Sequence, residues 1–269
     1  MGKHFALPPA KSRTGRRVLV LVLIAALTVA LLVLSGIGRA IAMNILIPLF
    51  GPGDDNEDDA QHKIACPRLD IYLLQLAVDT DAKKAAAAAQ AIAGRGGAGY
   101  VLRDKEEYRV LASGYLTRDE AQSVADKQEE YSPALIMLSS GSLSFSARCT
   151  AKQAETLSQA CRYYPALARE LLEEAQSLDR RELTAAGIRV KYTYRAVKTQ
   201  EMISGLEALP ASKDNALISE LLTLYRNLYI YLNEISEKND KLGLDFCSEI
   251  KYNYIEMAVA YRDMICRLS

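Results

Sequence analysis

Histidine is scarce in this 269-residue chain, which contains only two. They are His4 and His62, and both precede the first segment that the sequence predicts to fold. Zinc amidases and hydrolases with a Cys–His or Ser–His–Asp arrangement need histidine inside the active site. A lysozyme-like mechanism can work with one catalytic glutamate, but no family motif surrounds any glutamate here. The sequence therefore predicts a protein that is not an enzyme and has no catalytic residue.

The five cysteines lack the CxxC spacing of metal and redox sites. Cys161 and Cys247 lie on apolar stripes of predicted helices, where a thiol behaves as a small buried hydrophobic group. The acidic run in residues 51–63, GPGDDNEDDAQHK, lacks the ligand order of a calcium loop and has the composition of a solvated linker. We predict no metal site, no cofactor and no set of disulfides.

Charge is absent from residues 18–38, a run of 21 residues that follows five basic residues and no acidic one. A helix of about 20 apolar residues can cross a bilayer. The basic flank predicts a cytoplasmic N-terminus and extracytoplasmic domains in a single-pass protein of the cell membrane. The alternative is a cleaved signal peptide with its site at residues 40–42, although its apolar region is normally about 7–15 residues long.

Residues 71–131 contain two half-copies of one pattern, in which a short apolar strand is followed by a capping residue and an Ala-rich helix. This order predicts a βαββαβ domain with both helices on one face of the sheet and the other face free. Thr80 or Asp81 can cap the first helix, and Thr117 with Glu120 has the spacing of a capping box for the second. The glycines in residues 94–99 end the first helix and return the chain to the next strand.

The first strand carries Gln75 in YLLQLAV, and residues 108–121 read YRVLASGYLTRDEA. In both order and spacing, residues 68–138 resemble the SPOR domain, a bacterial peptidoglycan-binding module. The resemblance implies a ferredoxin- or RNP-like fold whose free sheet face binds glycan strands that lack stem peptides. It also implies a role at sites of division or sporulation.

The resemblance places a glutamine of the first strand and an aromatic residue of the third strand on the glycan face. The matching positions are Gln75 and Tyr108, and the candidate ligand-binding set also includes Ala77, Val78 and Val110. An amide can hydrogen-bond sugar hydroxyls, and an aromatic ring can pack on a pyranose. RNA-recognition modules share this strand–helix order, but residues 68–138 hold 9 basic against 11 acidic residues. We therefore predict no nucleic-acid partner.

After a Ser-rich loop or edge strand at residues 139–149, the chain is helical in pattern. Apolar residues recur at intervals of three and four, which is typical of helices packed at a shallow angle. Pro165 is expected to break or kink the first of about four helices. The resulting bundle, with its many tyrosines, is the candidate surface for a protein partner or for self-association.

The predicted fold class is α+β, with a transmembrane helix, a small SPOR-like domain and an all-α antiparallel helical bundle. The predicted segments are a cytoplasmic tail (1–17), the membrane span (18–38), a juxtamembrane and acidic linker (39–67), the SPOR-like domain (68–140) and the bundle (150–269). The predicted function is peptidoglycan binding by a membrane-anchored, exported protein. The alternative is a non-enzymatic, membrane-anchored scaffold whose SPOR fold no longer binds glycan.

Overall fold

The computed structural model describes residues 60–209, 215–237 and 243–269. These ranges contain six strands and six helices. In chain order they are β1 (Ala60–Cys66), β2 (Asp70–Asp79), α1 (Ala82–Ala93), β3 (Tyr100–Asp104), β4 (Glu107–Tyr115), α2 (Arg118–Ala125), β5 (Ala134–Ser139), β6 (Leu143–Cys149), α3 (Ala151–Asp179), α4 (Ala185–Glu207), α5 (Ala216–Glu237) and α6 (Leu244–Leu268).

Four strands form an antiparallel sheet in the order β3-β4-β2-β5. With α1 and α2 between its strands, this part of the chain has the βαββαβ order. Both helices pack on one face of the sheet, where Ala85 and Ile92 of α1 contact Val110 and Ala121 of α2 lies against Leu74. A second, two-stranded sheet pairs β1 with β6 in antiparallel fashion.

Local capping explains where α1 and α2 begin. The Asp81 carboxylate accepts hydrogen bonds from the backbone N–H groups of Lys83 and Lys84, and the Thr117 hydroxyl accepts one from Glu120. Each side chain satisfies backbone donors that a helix start leaves open. Gly99, in the turn between α1 and β3, has a φ of +62°, and a Cβ atom there would lie 2.4 Å from the Ala89 carbonyl oxygen. Glycine is therefore required at this turn.

The predicted fold class requires correction, because the described residues form a mixed α/β structure of six helices and two sheets in which the helices share a core with the sheet. The described residues all belong to one compact unit. The second face of the sheet, predicted to be free, shares a hydrophobic core with α3 and α6, and this core includes Leu73 and Leu111 of the sheet with Leu171 and Ile250 of the helices. The two-stranded sheet also departs from the prediction, since β1 falls within the segment predicted to be linker.

The predicted membrane anchor also requires correction. Among the described residues, no helix combines the length and apolar character needed to cross a bilayer. The predicted span, residues 18–38, lies outside the described ranges, as do the predicted tail and most of the linker. The structure therefore gives no support to a single-pass protein with extracytoplasmic domains.

Of the predicted break or kink at Pro165, the break does not occur, since α3 runs from Ala151 to Asp179 without interruption. Proline cannot donate the hydrogen bond that continues a helix. The residue is buried, and the Tyr225 hydroxyl of α5 donates a 2.6 Å hydrogen bond to the carbonyl of Ala160, five residues earlier. Tertiary packing thus holds the helix together through this position.

Candidate functional site

Two irregularities in β2 decide which face of the sheet each candidate glycan-binding residue occupies. The register between β2 and β4 shifts on either side of Gln75, so that Gln75 pairs with Leu111 while Ala77 pairs with Val110. Leu111 and Val110 are consecutive residues of one strand and point to opposite faces. The bulges therefore separate Gln75 from Ala77, which strict alternation along β2 would place on the same face.

The candidate set does not form one surface. Val110 is fully buried against α1, and Ala77 and Tyr108 pack on the same cluster. Gln75 and Val78 pair with residues that point to the other face. A ligand lying on either face of the sheet therefore cannot contact Gln75 and Tyr108 together.

The Gln75 side chain is already used within the protein. It is 6% exposed, and its Oε1 accepts a hydrogen bond of 3.1 Å from Arg109 Nη1. The same guanidinium donates to the carboxylates of Asp104 and Glu107, at 3.0 and 2.9 Å. Gln75 thus joins β2 to a polar cluster at the end of the β3–β4 hairpin.

Helix α6 occupies the sheet face that the resemblance assigns to glycan. The Tyr254 hydroxyl lies 3.1 Å from Ser113 Oγ and accepts a short hydrogen bond from the Gly114 N–H. Burial raises the pKa of Tyr254 well above that of a free tyrosine, so the hydroxyl stays neutral and can both donate and accept. Nearby, the Tyr252 and Tyr100 rings pack with centroids 5.0 Å apart. A glycan strand would have to displace this helix.

A cavity of about 500 Å³ remains between α1, α2 and the sheet, and Lys251 of α6 reaches it. Lys251 Nζ donates to the Gly96 carbonyl at 2.9 Å and to Asp179 Oδ1 at 2.7 Å. In the same wall, Arg95 forms an ion pair with Glu130. The charged groups of Lys251 and Arg95 are thus paired within the protein, and their contacts fix the glycine turn and the rim of the cavity.

The described surface also carries an apolar stripe on α4. Val190, Tyr194 and Val197 are 72%, 38% and 55% exposed, and their spacing of four and three places them on one side of the helix. We call these three residues the α4 stripe. Grooves beside it are lined on the α5 side by Tyr229, Asn233 and Ser236. The other side of α4 is buried, so the helix is apolar on both sides.

A buried ion cluster fixes α4 against α3. Glu174 of α3 is 7% exposed, and its carboxylate accepts hydrogen bonds from Arg195 Nη1 at 2.5 Å and from Lys191 Nζ at 2.9 Å. Arg195 also donates to Glu170 at 2.9 Å. Charged groups are retained at such depth only when they are paired. The α4 stripe is therefore presented on a helix whose position is set by directional contacts.

No cluster of three or more His, Cys, Asp and Glu side chains is placed to bind a metal ion in the part of the chain that the structure describes. His62 lies in β1, and His4 lies outside the described ranges.

No family model matches the chain, and neither a curated protein nor a solved structure matches it. The SPOR resemblance therefore stays a prediction. No comparison supports the predicted role at sites of division or sporulation, and that role is withdrawn.

Sequence reasoning missed the α4 stripe, although the sequence carries a signal for it. The buried positions of α4 include Ile188, Tyr192 and Leu206, while Val190 and Val197 interrupt what should be its polar side. A surface helix normally has one apolar side only. A second apolar side in a helix at the edge of a bundle indicates a further contact surface.

Proposed function

We propose that this protein is a non-enzymatic interaction protein that associates with a second copy of itself through the α4 stripe. The observation that carries the proposal is the exposure of Val190, Tyr194 and Val197 on a helix held by a buried ion cluster. Large exposed apolar side chains at one helical spacing favour a helix–helix contact. The alternative of glycan binding on the sheet is less well supported, because α6 packs on that face.

Closed symmetry favours a second copy in the antiparallel orientation, because a two-fold axis across the helix matches the α4 stripe of one copy to that of the other. Arg189 lies beside one end of the stripe and Glu201 beside the other, as part of the grooves along it. The two residues are twelve positions apart, or about 18 Å along the helix. Twelve positions also place the two side chains about a third of a turn apart around the helix, and Glu201 already pairs with Lys198 at 3.3 Å. The two-fold axis and the apolar side chains, not these charges, therefore favour the antiparallel orientation.

The surface around the stripe supplies the remaining contact area. A stable interface commonly buries about 800 Å² on each partner, which three side chains cannot provide. The grooves extend the surface across to Tyr229, Asn233 and Ser236 of α5. We therefore expect the interface to consist of α4 and the adjoining side of α5 from both copies.

The test is the mass of the full chain in solution, measured by sedimentation velocity over a range of concentrations. We expect a dimer for the natural protein and a monomer for the double variant Val190→Glu/Val197→Glu. The control is Met137→Glu, which places one of these negative charges on an exposed apolar residue of β5 (49% exposed) and should leave the dimer intact. A monomeric natural chain, or a dimer that survives the double substitution, would overturn the proposal.

Co-sedimentation with purified sacculi, with and without stem peptides, separates the proposal from the glycan alternative. We expect the full chain to remain in the supernatant with both preparations. Binding that rises on the denuded sacculi and is lost in Gln75→Ala would favour the glycan function instead.

A further inference from the structure

Two cysteines from distant parts of the chain meet in the core. Cys66 is the last residue of β1, and Cys161 lies in the middle of α3, 95 positions later. Both side chains are fully buried, and their sulfur atoms lie 2.6 Å apart. Both cysteines are free thiols in the structure, and forming a covalent sulfur–sulfur bond of about 2.05 Å would need only a small closing movement of the two side chains.

We infer that Cys66 and Cys161 form a disulfide in the folded protein. Each thiol loses a proton and the pair loses two electrons, and a new sulfur–sulfur bond joins the two side chains. The oxidant is a small disulfide such as oxidised glutathione, which accepts the two electrons and two protons and leaves as two thiols. Exchange proceeds through a mixed disulfide with one of the two cysteines. Because both sulfurs are buried, this exchange occurs during folding or when β1 opens locally from α3.

The bond would connect the two-stranded sheet to the helical layer. Residues 66–161 would form a closed loop that contains the whole four-stranded sheet. Contacts next to Cys66 already join the same parts, since the Tyr261 hydroxyl donates to the Pro67 carbonyl at 2.7 Å and Arg169 donates to the Arg68 carbonyl at 2.7 Å. The disulfide would thus hold β1, a strand at the start of the described chain, against α3 and α6.

Geometry also favours this pairing over the alternatives within the chain. Cys247 and Cys266 lie on α6, 19 positions apart, or about 28 Å along the helix. They cannot bond to each other without unfolding α6. Cys149 lies at the far end of β6, opposite Ala60, whereas Cys66 pairs with Leu143.

Peptide mapping of the full chain gives the direct test. The protein is treated with oxidised glutathione, unfolded, alkylated and digested with trypsin without reductant. We expect a linked pair of the peptides IACPR (64–68) and QAETLSQACR (153–162), which separates after reduction. Alkylation should modify two fewer cysteines than in the reduced protein. Full alkylation of Cys66 and Cys161 in the oxidised sample, or a link from either to another cysteine, would overturn the inference.

Thermal unfolding measures how much the disulfide stabilises the protein. Closing a loop of this length lowers the entropy of the unfolded chain, so reductant should lower the melting temperature by on the order of 10 °C. The variants Cys66→Ala and Cys161→Ala should melt at one temperature in both conditions. The matched control Cys247→Ala, which removes a half-buried thiol of α6, should keep the full response to reductant. An equal response in Cys66→Ala would mean that another bond is responsible.

Discussion

At the scale of single residues, one hydroxyl group joins the helical layer to the sheet. Tyr254 is buried, and its hydroxyl oxygen accepts a hydrogen bond from the Gly114 N–H and lies within hydrogen-bond distance of Ser113 Oγ. Gly114 allows this approach, because a Cβ atom there would lie 3.0 Å from the Tyr254 ring. The sheet face that the resemblance assigns to a ligand is thus in close contact with a tyrosine of the same chain.

Replacing Tyr254 with phenylalanine should destabilise the protein by about 1–3 kcal/mol. The ring still fills its place, but the buried Gly114 N–H loses its acceptor and pays the cost of desolvation. The change is measured as the difference in free energy of unfolding from urea denaturation.

The control for this prediction is Tyr252→Phe in the same helix. Tyr252 is 39% exposed, so its hydroxyl can bond to water. Its loss should change the free energy of unfolding by less than about 0.5 kcal/mol. If Tyr254→Phe lowered the free energy of unfolding as little as is expected for Tyr252→Phe, the Tyr254 contact with β4 would not contribute to stability.

At the scale of elements, ion pairs that include buried side chains hold α3 and α4 together. Glu174 of α3 is the acceptor shared by Lys191 and Arg195 of α4. Glu174→Ala should destabilise the protein by about 3 kcal/mol or more, because the buried Arg195 guanidinium loses its main partner. Urea denaturation measures the loss, and the exposed pair of Glu182 with Arg180 supplies the control.

Glu182→Ala breaks an ion pair of similar length, 2.8 Å, in which both side chains are more than half exposed. Water and salt screen such a pair, so the expected loss of stability is much smaller than that from Glu174→Ala. If Glu174→Ala cost no more than Glu182→Ala, the buried cluster would not be what positions the α4 stripe.

The elements also show which features a sequence can predict. The caps of α1 and α2 are local, because Asp81 and Thr117 bond to backbone groups two or three residues away. The glycine turn before β3 is local in the same sense. Such features follow from residue order alone, and the βαββαβ order follows from them together with the apolar pattern.

The features that sequence reasoning missed depend on contacts between distant residues. The faces of Gln75 and Ala77 depend on bulges formed against β4, which alternation along β2 cannot reveal. β1 is a strand because it pairs with β6, more than 75 positions away, although its composition resembles a linker. The occupation of the sheet by α6 is a tertiary contact of the same kind. The candidate site was therefore assigned to a face of the sheet that is covered by α6, a helix far along the chain.

At the scale of the whole molecule, tyrosines make the shared core sensitive to alkaline pH. Burial raises the pKa of Tyr100 to about 12 and raises the pKa of others across the sheet and helices. These others include Tyr164, Tyr192, Tyr254 and Tyr261. Burial disfavours the tyrosinate form, and in the unfolded chain the same groups titrate near pH 10.

Stability should therefore be fully present below about pH 10 and fall as the pH rises through the folded-state pKa values, because the unfolded chain loses its tyrosine protons first. The urea midpoint is expected to stay level from about pH 8 to about pH 9 and to drop between about pH 10 and about pH 12. Tyrosinate absorbance measured on the same samples should rise together with unfolding. Absorbance that rises fully near pH 10 in a folded protein would contradict the buried environment of these rings. Since the tyrosines lie in α3, α4, α6 and β3 alike, the sheet and the helices should unfold in one transition, whereas two separate domains would give two.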